Sequence, residues 1–505
     1  MNLLTLLDMA AMGMPDRIAI GRTRTAEFDF TAMTYPGLLE RACAGAATLR
    51  DLGVRELVYL GVNTVDFPTA LFAAAWAGIP LVPVNYRLSG RSLTELLAHH
   101  RDALVVSDLH PPTDAQVWSA ARWRTACAGA ADGTPRWTDD ADAVALLLYT
   151  SGTTSAPKAA VLRHQHLVSY LLGSVDFGSA AEHEAALVSV PPYHIAGVSN
   201  LLSNVYAGRR VVYLENFTPE SWLDCVRTEQ ISHALLVPTM LARIADHVGD
   251  AATAEVPTLR SLAYGGSKMP APVLERVIRL FPTTDFVNAY GLTETSSTIA
   301  VLSPDDHRAA ISGDELARAR LGSVGRLIPG IEVEIRGPEG AVRVGAAGDI
   351  FVRGSQVSGE YVGQGIVLDD DGWFATRDRG WIDDDGYLFV EGRTDDTIIR
   401  GGENIAPAEI EDVLLTHDAV AQAAVVGIPD ERWGQDIAAA VVLRAGRTAD
   451  SEELRDWVRT RLRSSKTPAL VAFRDALPHT ATGKILRREL LADLSEPLLL
   501  RSDDA

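Results

Sequence analysis

Cysteine is scarce: Cys43, Cys127 and Cys225 are the only three in 505 residues, odd in number and far apart. This excludes a disulfide framework and a cysteine-based zinc site, and makes the cytoplasm the expected compartment. No apolar run reaches the roughly 18 residues of a membrane span. The longest candidate, Leu71 to Val84, is broken by Gly78, Pro80 and Pro83, so no transmembrane segment is expected. The apolar start Met1–Asp8 has no basic flank and is interrupted by Asp8, which fits an amphipathic helix rather than a secretion signal. Basic residues are outnumbered, 46 Lys plus Arg against 66 Asp plus Glu, for a formal charge of -20. That argues against nucleic acid or an anionic membrane as a general partner, and an anionic ligand would need a local cationic or N–H-lined pocket. Aromatics are few, 7%, within a hydrophobic share of 47% rich in alanine, a composition suited to a helix-rich α/β protein.

A chain of this length exceeds one growing core, and about two to four domains or subdomains are expected. Helical and strand patterns alternate over Tyr35–Leu52 (helix), Leu57–Val62 (strand), Phe67–Ala77 (helix) and Pro80–Val84 (strand). This is the rhythm of a parallel sheet. Asp108–Asp142 lacks a period and reads as a loop region. The rhythm resumes from Pro191 to Thr295, with short strands Arg210–Leu214, His233–Val237, Leu262–Tyr264 and Phe286–Asn288. Glycine-rich turns between Glu332–Arg336 and Asp349–Arg353 predict a small β-rich subdomain. Asp450 and Glu453 open a predicted helix over Ser451–Ser464. The expected fold class is α/β, with a large N-terminal domain, residues 1–394, and a smaller α+β C-terminal domain, residues 395–505.

The most informative segment is Tyr149-Thr150-Ser151-Gly152-Thr153-Thr154-Ser155-Ala156-Pro157-Lys158, directly after the apolar Ala145–Leu148. The apolar run predicts a buried strand that delivers the loop to a sheet edge. Hydroxyls and backbone N–H groups there can wrap a polyphosphate, with Gly152 permitting close approach and Lys158 supplying charge. A Ser/Thr/Gly surface loop is the plain alternative. The segment is not a Walker A loop, because Pro157 precedes Lys158 and Ala159 follows it. Asn288-Ala289-Tyr290-Gly291-Leu292-Thr293-Glu294 offers an aromatic face, an amide and a carboxylate suited to Mg²⁺. Asp378 can accept two ribose hydroxyls, and Arg393 sits at a predicted interdomain turn. Lys484 lies on a glycine-bearing loop near the C-terminus. Taken singly, Glu294 equally fits a helix cap, Asp378 a turn, and Arg393 a surface ion pair.

In this order the motifs closely resemble the adenylate-forming superfamily of acyl-CoA synthetases, peptide-synthetase adenylation domains and luciferases, over about Tyr35 to Arg488. The resemblance implies ATP, Mg²⁺ and CoA as cofactors and a carboxylic acid as substrate. It assigns Thr150, Ser151, Gly152, Thr153, Thr154 and Lys158 to the β- and γ-phosphates. Gly265, Gly266 and Ser267 would lie along the adenine and the substrate carboxylate, with Asn288, Ala289, Tyr290 and Gly291 also on the nucleotide side. Thr293 would meet the α-phosphate and Glu294 would be the metal ligand. Asp378 and Arg393 would hold the ribose, and His194 in Pro191–Gly197 would border the acyl pocket. Lys484 would bridge carboxylate and α-phosphate. Asp395 would be the hinge of a mobile C-terminal domain that presents Gly401 and Gly402 beside the tunnel for the CoA thiol.

Three positions depart from the family pattern. Ser155, Ala159 and Arg377 stand where glycines are usual. His164 falls on a family position but is given only a structural role, and the neighbouring His166 is not enough for a metal site. Gly401–Glu411 and Ile428–Gln435 are similar to stand-alone acyl-CoA synthetases, which favours CoA as acceptor. Loading of a carrier protein and a non-catalytic adenylate sensor are the alternatives. The small or apolar residues Gly197, Val198, Leu201, Ala263, Gly265, Gly266, Ala289 and Ser296 suggest an apolar or ring-bearing acid. Lys268 fits either a partner for a second acid group or a solvated helix-entry lysine.

Overall fold

The computed structural model describes residues 1–22, 32–88, 90–129, 137–150, 158–249, 251–401, 403–430, 432–480 and 485–502, without the side chains of Asn404 and residues 495–502. Two large sheets form the N-terminal domain. In the first, parallel strands Leu81–Pro83, Glu56–Tyr59, Ala103–Val106 and Gln116–Trp118 lie beside Val144–Thr150, which folds back as a hairpin into Lys158–Arg163. The second runs parallel through Arg210–Tyr213, Ala185–Val188, His233–Leu236, Ser261–Gly265 and Asp285–Leu292, and then turns antiparallel at Ser297–Leu302. A five-stranded antiparallel sheet, Glu332–Gly337 to Leu388–Arg393, adds the β-rich subdomain. The smaller C-terminal domain is built on Val420–Asp430 paired with Gly434–Leu443. A single 3₁₀ turn, Thr394–Asp396, leads from Leu388–Arg393 to Ile398–Arg400 of that last sheet.

Local chemistry sets the element ends. The helix Tyr35–Leu52 begins where the Thr34 hydroxyl accepts the Gly37 N–H at 3.2 Å and ends at Gly53, φ 64°. The N-terminal helix Leu3–Gly13 is capped by Asn2, which accepts the Thr5 N–H at 3.0 Å, and it buries Leu3, Leu4, Leu6, Leu7 and Ala10. Those side chains join Leu38, Phe72, Val198 and Leu201 in the core between the two large sheets.

Three expectations are corrected. The strand Val144–Thr150 is buried as expected, but it is an inner strand, paired with Leu81–Pro83 on one side and Lys158–Arg163 on the other, rather than one that leads to a sheet edge. Asp108–Asp142 contains a strand, Gln116–Trp118, and a helix, Ala120–Cys127, which is too short to show a period and buries only Trp123 and Cys127. The helix from Ser451 stops at Arg459, and Ser464–Lys466 forms a separate 3₁₀ turn.

His164 and His166 serve structure. The Leu3 N–H donates to His164 Nδ1 at 3.4 Å and the Arg163 N–H to His166 Nδ1 at 3.2 Å, so both rings must be neutral. Burial pushes each down to about 4 from 6.5. The unfolded chain therefore binds more protons below pH 6.5, and this stability is complete above 6.5 and lost as pH falls towards 4. At pH 5 the loss for His164 is about 2 kcal/mol. Melting temperature is expected to drop between pH 7.5 and 5, and less steeply in His164→Asn; identical slopes would refute the assignment.

Candidate active site

Parallel pairing sets Tyr264 opposite Asn288 and Gly265 opposite Ala289 at the C-terminal ends of two strands. The backbones meet so closely that a Cβ on Gly265 would lie 2.1 Å from the Ala289 carbonyl oxygen. Gly266 then turns at φ 85°, leaving Ser267 exposed. On the neighbouring strand, a Cβ on Gly291 would lie 1.7 Å from the Ser297 oxygen. Both glycines are therefore required by packing.

Beyond Gly291 the chain makes a tight turn that holds Thr293 half-buried and Glu294 buried. Thr295 Oγ1 accepts the Leu292 N–H at 2.9 Å, and the Gln356 amide donates to the Thr295 and Thr298 carbonyls at 2.9 and 2.8 Å. Glu294 Oε1 accepts the Tyr361 hydroxyl at 2.6 Å, while among the described residues Oε2 has no donor. The Tyr290 hydroxyl donates to Asp378 Oδ2 at 2.6 Å. Asp378 is paired in register with Arg393, whose Nη1 donates to Asp378 Oδ1 and to the Thr376 carbonyl, both at 3.0 Å. Burial and the Asp378 carboxylate hold the Tyr290 phenol well above its usual range. Burial opposes the charge on Arg393, but Asp378 outweighs it and keeps the guanidinium above its ordinary pKa. Arg393 Nε is buried with no partner among the described residues, a donor suited to a polar ligand.

Tyr361 was missed by sequence reasoning, and it joins two residues that were not. Its hydroxyl engages Glu294, and Lys158 Nζ lies 5.7 Å from its ring centroid. Its short strand is clamped to the phosphate-loop hairpin by the bidentate Arg163–Glu360 pair at 3.0 and 2.9 Å. A lone tyrosine in Glu360-Tyr361-Val362-Gly363 carries no period; only its position before a glycine turn hinted at a fixed role. Tyr361→Phe should cost about 2 kcal/mol of Glu294 anchoring and raise the Mg²⁺ concentration needed for half-maximal activity. An unchanged Mg²⁺ dependence would reduce Tyr361 to packing.

The remaining expected residues divide. Thr150 spends its hydroxyl on the Lys158 carbonyl at 3.3 Å, across the mouth of the hairpin. Asn288 donates to the Ser323 carbonyl at 3.4 Å. His194 precedes the helix Ile195–Ala207, its ring 4.4 Å from that of Tyr193, and burial followed by Arg87 lowers it to about 4, so it is neutral at pH 7. That helix meets the Glu294 turn through Ser199 and Ser297, whose hydroxyls are 2.9 Å apart. Val198 and Leu201, expected at a ligand pocket, are core residues instead, because they lie on the helix face turned to the core between the two sheets. Lys268 is an exposed lysine before the helix Ala271–Leu280, as the solvated reading has it, and it pairs with Asp412 of the C-terminal domain at 2.6 Å. Gly401, φ 58°, lies under Trp433, and Asp395 lies in the connecting 3₁₀ turn. Ser151, Gly152, Thr153, Thr154, Gly402 and Lys484 lie outside the described residues.

Two buried carboxylates, Glu294 just past the end of the strand Asp285–Leu292 and Asp378 on the neighbouring antiparallel sheet, each bonded by a tyrosine and followed in the chain by a small second domain, fit a nucleotide-using enzyme class. The chain belongs to the AMP-binding enzyme family: that family's model matches residues 7–362, and the AMP-binding enzyme C-terminal domain matches 409–484. It is 36% identical over 477 residues to a feruloyl-CoA synthase of Amycolatopsis sp, covering 91% of this chain and 94% of that one. A fatty acid–[acyl-carrier-protein] ligase of Streptomyces coeruleorubidus is 33% identical, covering 91% of each. Among solved structures, the o-succinylbenzoate CoA synthetase of Bacillus subtilis with its acyl-adenylate intermediate superposes with a TM-score of 0.82 at 28% identity, over 96% of this chain and 97% of that one. The same enzyme is also solved with ATP and magnesium ion.

Proposed function

We propose that this protein is an AMP-forming acyl-CoA ligase, which joins a carboxylic acid to CoA through an acyl-adenylate and releases pyrophosphate and AMP. The observation that supports it most is that two buried carboxylates of a family member, Glu294 and Asp378, are each bonded by a tyrosine and both act on the Arg393 guanidinium. The carboxylate oxygen attacks the α-phosphorus as the bond to pyrophosphate breaks; the CoA thiol, losing its proton, then attacks the acyl carbon and AMP departs. Asp378 and Arg393 orient the ribose, and Asn288 to Gly291 with Gly265 to Ser267 flank the adenine and the acid. Thr293 and Lys484 meet the α-phosphate, and Thr150 to Thr154 with Lys158 hold the outer phosphates. Glu294 suits Mg²⁺, an ion that takes most of its oxygens from phosphate and water. When bound, the ion offsets charge on the phosphate oxygens.

Residues 1–394 form the adenylating domain and 395–505 the mobile one, with Asp395 as hinge and Gly401–Gly402 presented for thioester formation. The acid is apolar or ring-bearing. His194 is neutral, Tyr193 and Tyr86 pack edge to face at 5.6 Å beside it, and the Lys268 ammonium is taken by Asp412. Buried, unpaired Cys43, Cys127 and Cys225 fit a reducing cytoplasm. Loading of a carrier protein is the second reading, supported by the Streptomyces relative. Pyrophosphate release across a panel of carboxylic acids, with and without CoA, and mass spectrometry of the products test both. Acyl-CoA supports the proposal, acyl-AMP without a CoA product favours the carrier, and no acid-dependent pyrophosphate refutes both.

A further inference from the structure

Arg377 occupies left-handed backbone, φ 60°, directly before Asp378. For a residue with a Cβ this costs about 1–2 kcal/mol, which glycine would avoid. The flanking residues impose it. Thr376 is buried with its hydroxyl donating to the Ile350 carbonyl at 2.8 Å, and Asp378 is buried on Tyr290 and Arg393. Strain of this kind persists where the surroundings over-determine it, and it commonly marks a functional position.

The Arg377 side chain is half exposed and reaches the interdomain turn, where Nη1 lies 4.0 Å from Asp395 Oδ2. The two neighbours of Asp395 are tied to opposite domains. The Thr394 hydroxyl donates to Asp349 of the β-rich sheet at 2.9 Å, and Asp396 pairs with Arg487 of the C-terminal domain at 3.4 Å. A rotation of one domain against the other at this turn would change the dihedrals of Asp395 and move its carboxylate. The same guanidinium also acts on Tyr361, the Glu294 anchor, lowering a phenol pKa that burial raises.

We propose that Arg377 is a positioning residue: by holding the Asp395 carboxylate it favours the domain arrangement seen here, and so sets how turnover divides between adenylation and thioester formation. The inference rests on the ligase reading above. An exposed pair contributes up to about 1 kcal/mol, and so shifts a two-state population by up to about fivefold.

The test measures both half-reactions: acid-dependent pyrophosphate release without CoA, and transfer from supplied acyl-adenylate to CoA. Arg377→Gly relieves the backbone, so it should fold at least as well as the native chain while shifting the ratio of the two rates about threefold to fivefold. Arg377→Lys keeps the charge and the strain and should hold the native ratio. Asp395→Asn should reproduce the glycine shift, and the double variant should add nothing to either single change. Equal changes in both half-reactions, or a double shift equal to the product of the singles, would overturn the proposal. A native enzyme silent in both half-reactions would instead refute the ligase reading, so the two failures are distinguishable.

Discussion

Asp378→Ala is expected to unfold more easily by about 3–5 kcal/mol and to lose most of its response to ATP. The substitution strands two buried groups at once, the Arg393 guanidinium and the Tyr290 hydroxyl, each now satisfied within 3.0 Å. Breaking a largely buried ion pair from one side costs more than the pair contributes, because the surviving charge, 28% exposed, regains only part of its water. Arg393 is already without a partner at Nε among the described residues, so it has little spare solvation to draw on. Asp378→Asn separates stability from binding. It keeps the shape and one acceptor, so denaturant unfolding should shift less, while half-saturation by ATP should still rise strongly. A folded Asp378→Asn variant with native ATP dependence would remove Asp378 from the ribose role.

The second large effect is expected from Lys484→Ala. If this ammonium offsets charge that develops between carboxylate and α-phosphate, its removal should slow adenylation on the order of 10²–10³-fold, the usual consequence of deleting one preorganised stabiliser of transition-state charge. Transfer from supplied acyl-adenylate to CoA should continue at nearly the native rate if, as proposed above, the C-terminal domain withdraws the lysine in that step. On either side of the lysine's segment, His479 bridges Ile485, and Arg487 pairs with Glu411 and Asp396. Equal damage to both half-reactions would contradict an alternating C-terminal domain.

Element order was largely legible because the signals are local. The helix Tyr35–Leu52 carries its own cap, proline and terminal glycine, and its bounds agree with those read from the sequence. Short strands such as Arg210–Tyr213 and His233–Leu236 were legible from apolar runs between helices. The helix Ala120–Cys127 was not, since two turns with two buried residues are too few to show a period. The placement of Val198 and Leu201 was misjudged for a related reason: small and apolar describes a pocket wall and a core equally well, and only the partner elements separate them.

Of the candidate site, the residue types and their order were readable: a hydroxyl-rich loop, a Tyr-Gly-x-Thr-Glu run, an aspartate, an arginine and a late lysine. Sequence alone thus determined the fold class, the acidic and cysteine-poor character, and the family, because each depends on composition, local period or motif. Only the tertiary structure decided what those residues do to one another. Tyr290 meets Asp378 across 88 positions and Tyr361 meets Glu294 across 67, by the packing of separate sheets that no local pattern encodes. Arg377, a mere departure from a glycine in the sequence, becomes a strained residue beside the interdomain turn. The reason is physical: local propensity selects helix or strand within a few residues, whereas a side chain's partner is set by how whole sheets pack and which charges are left without water.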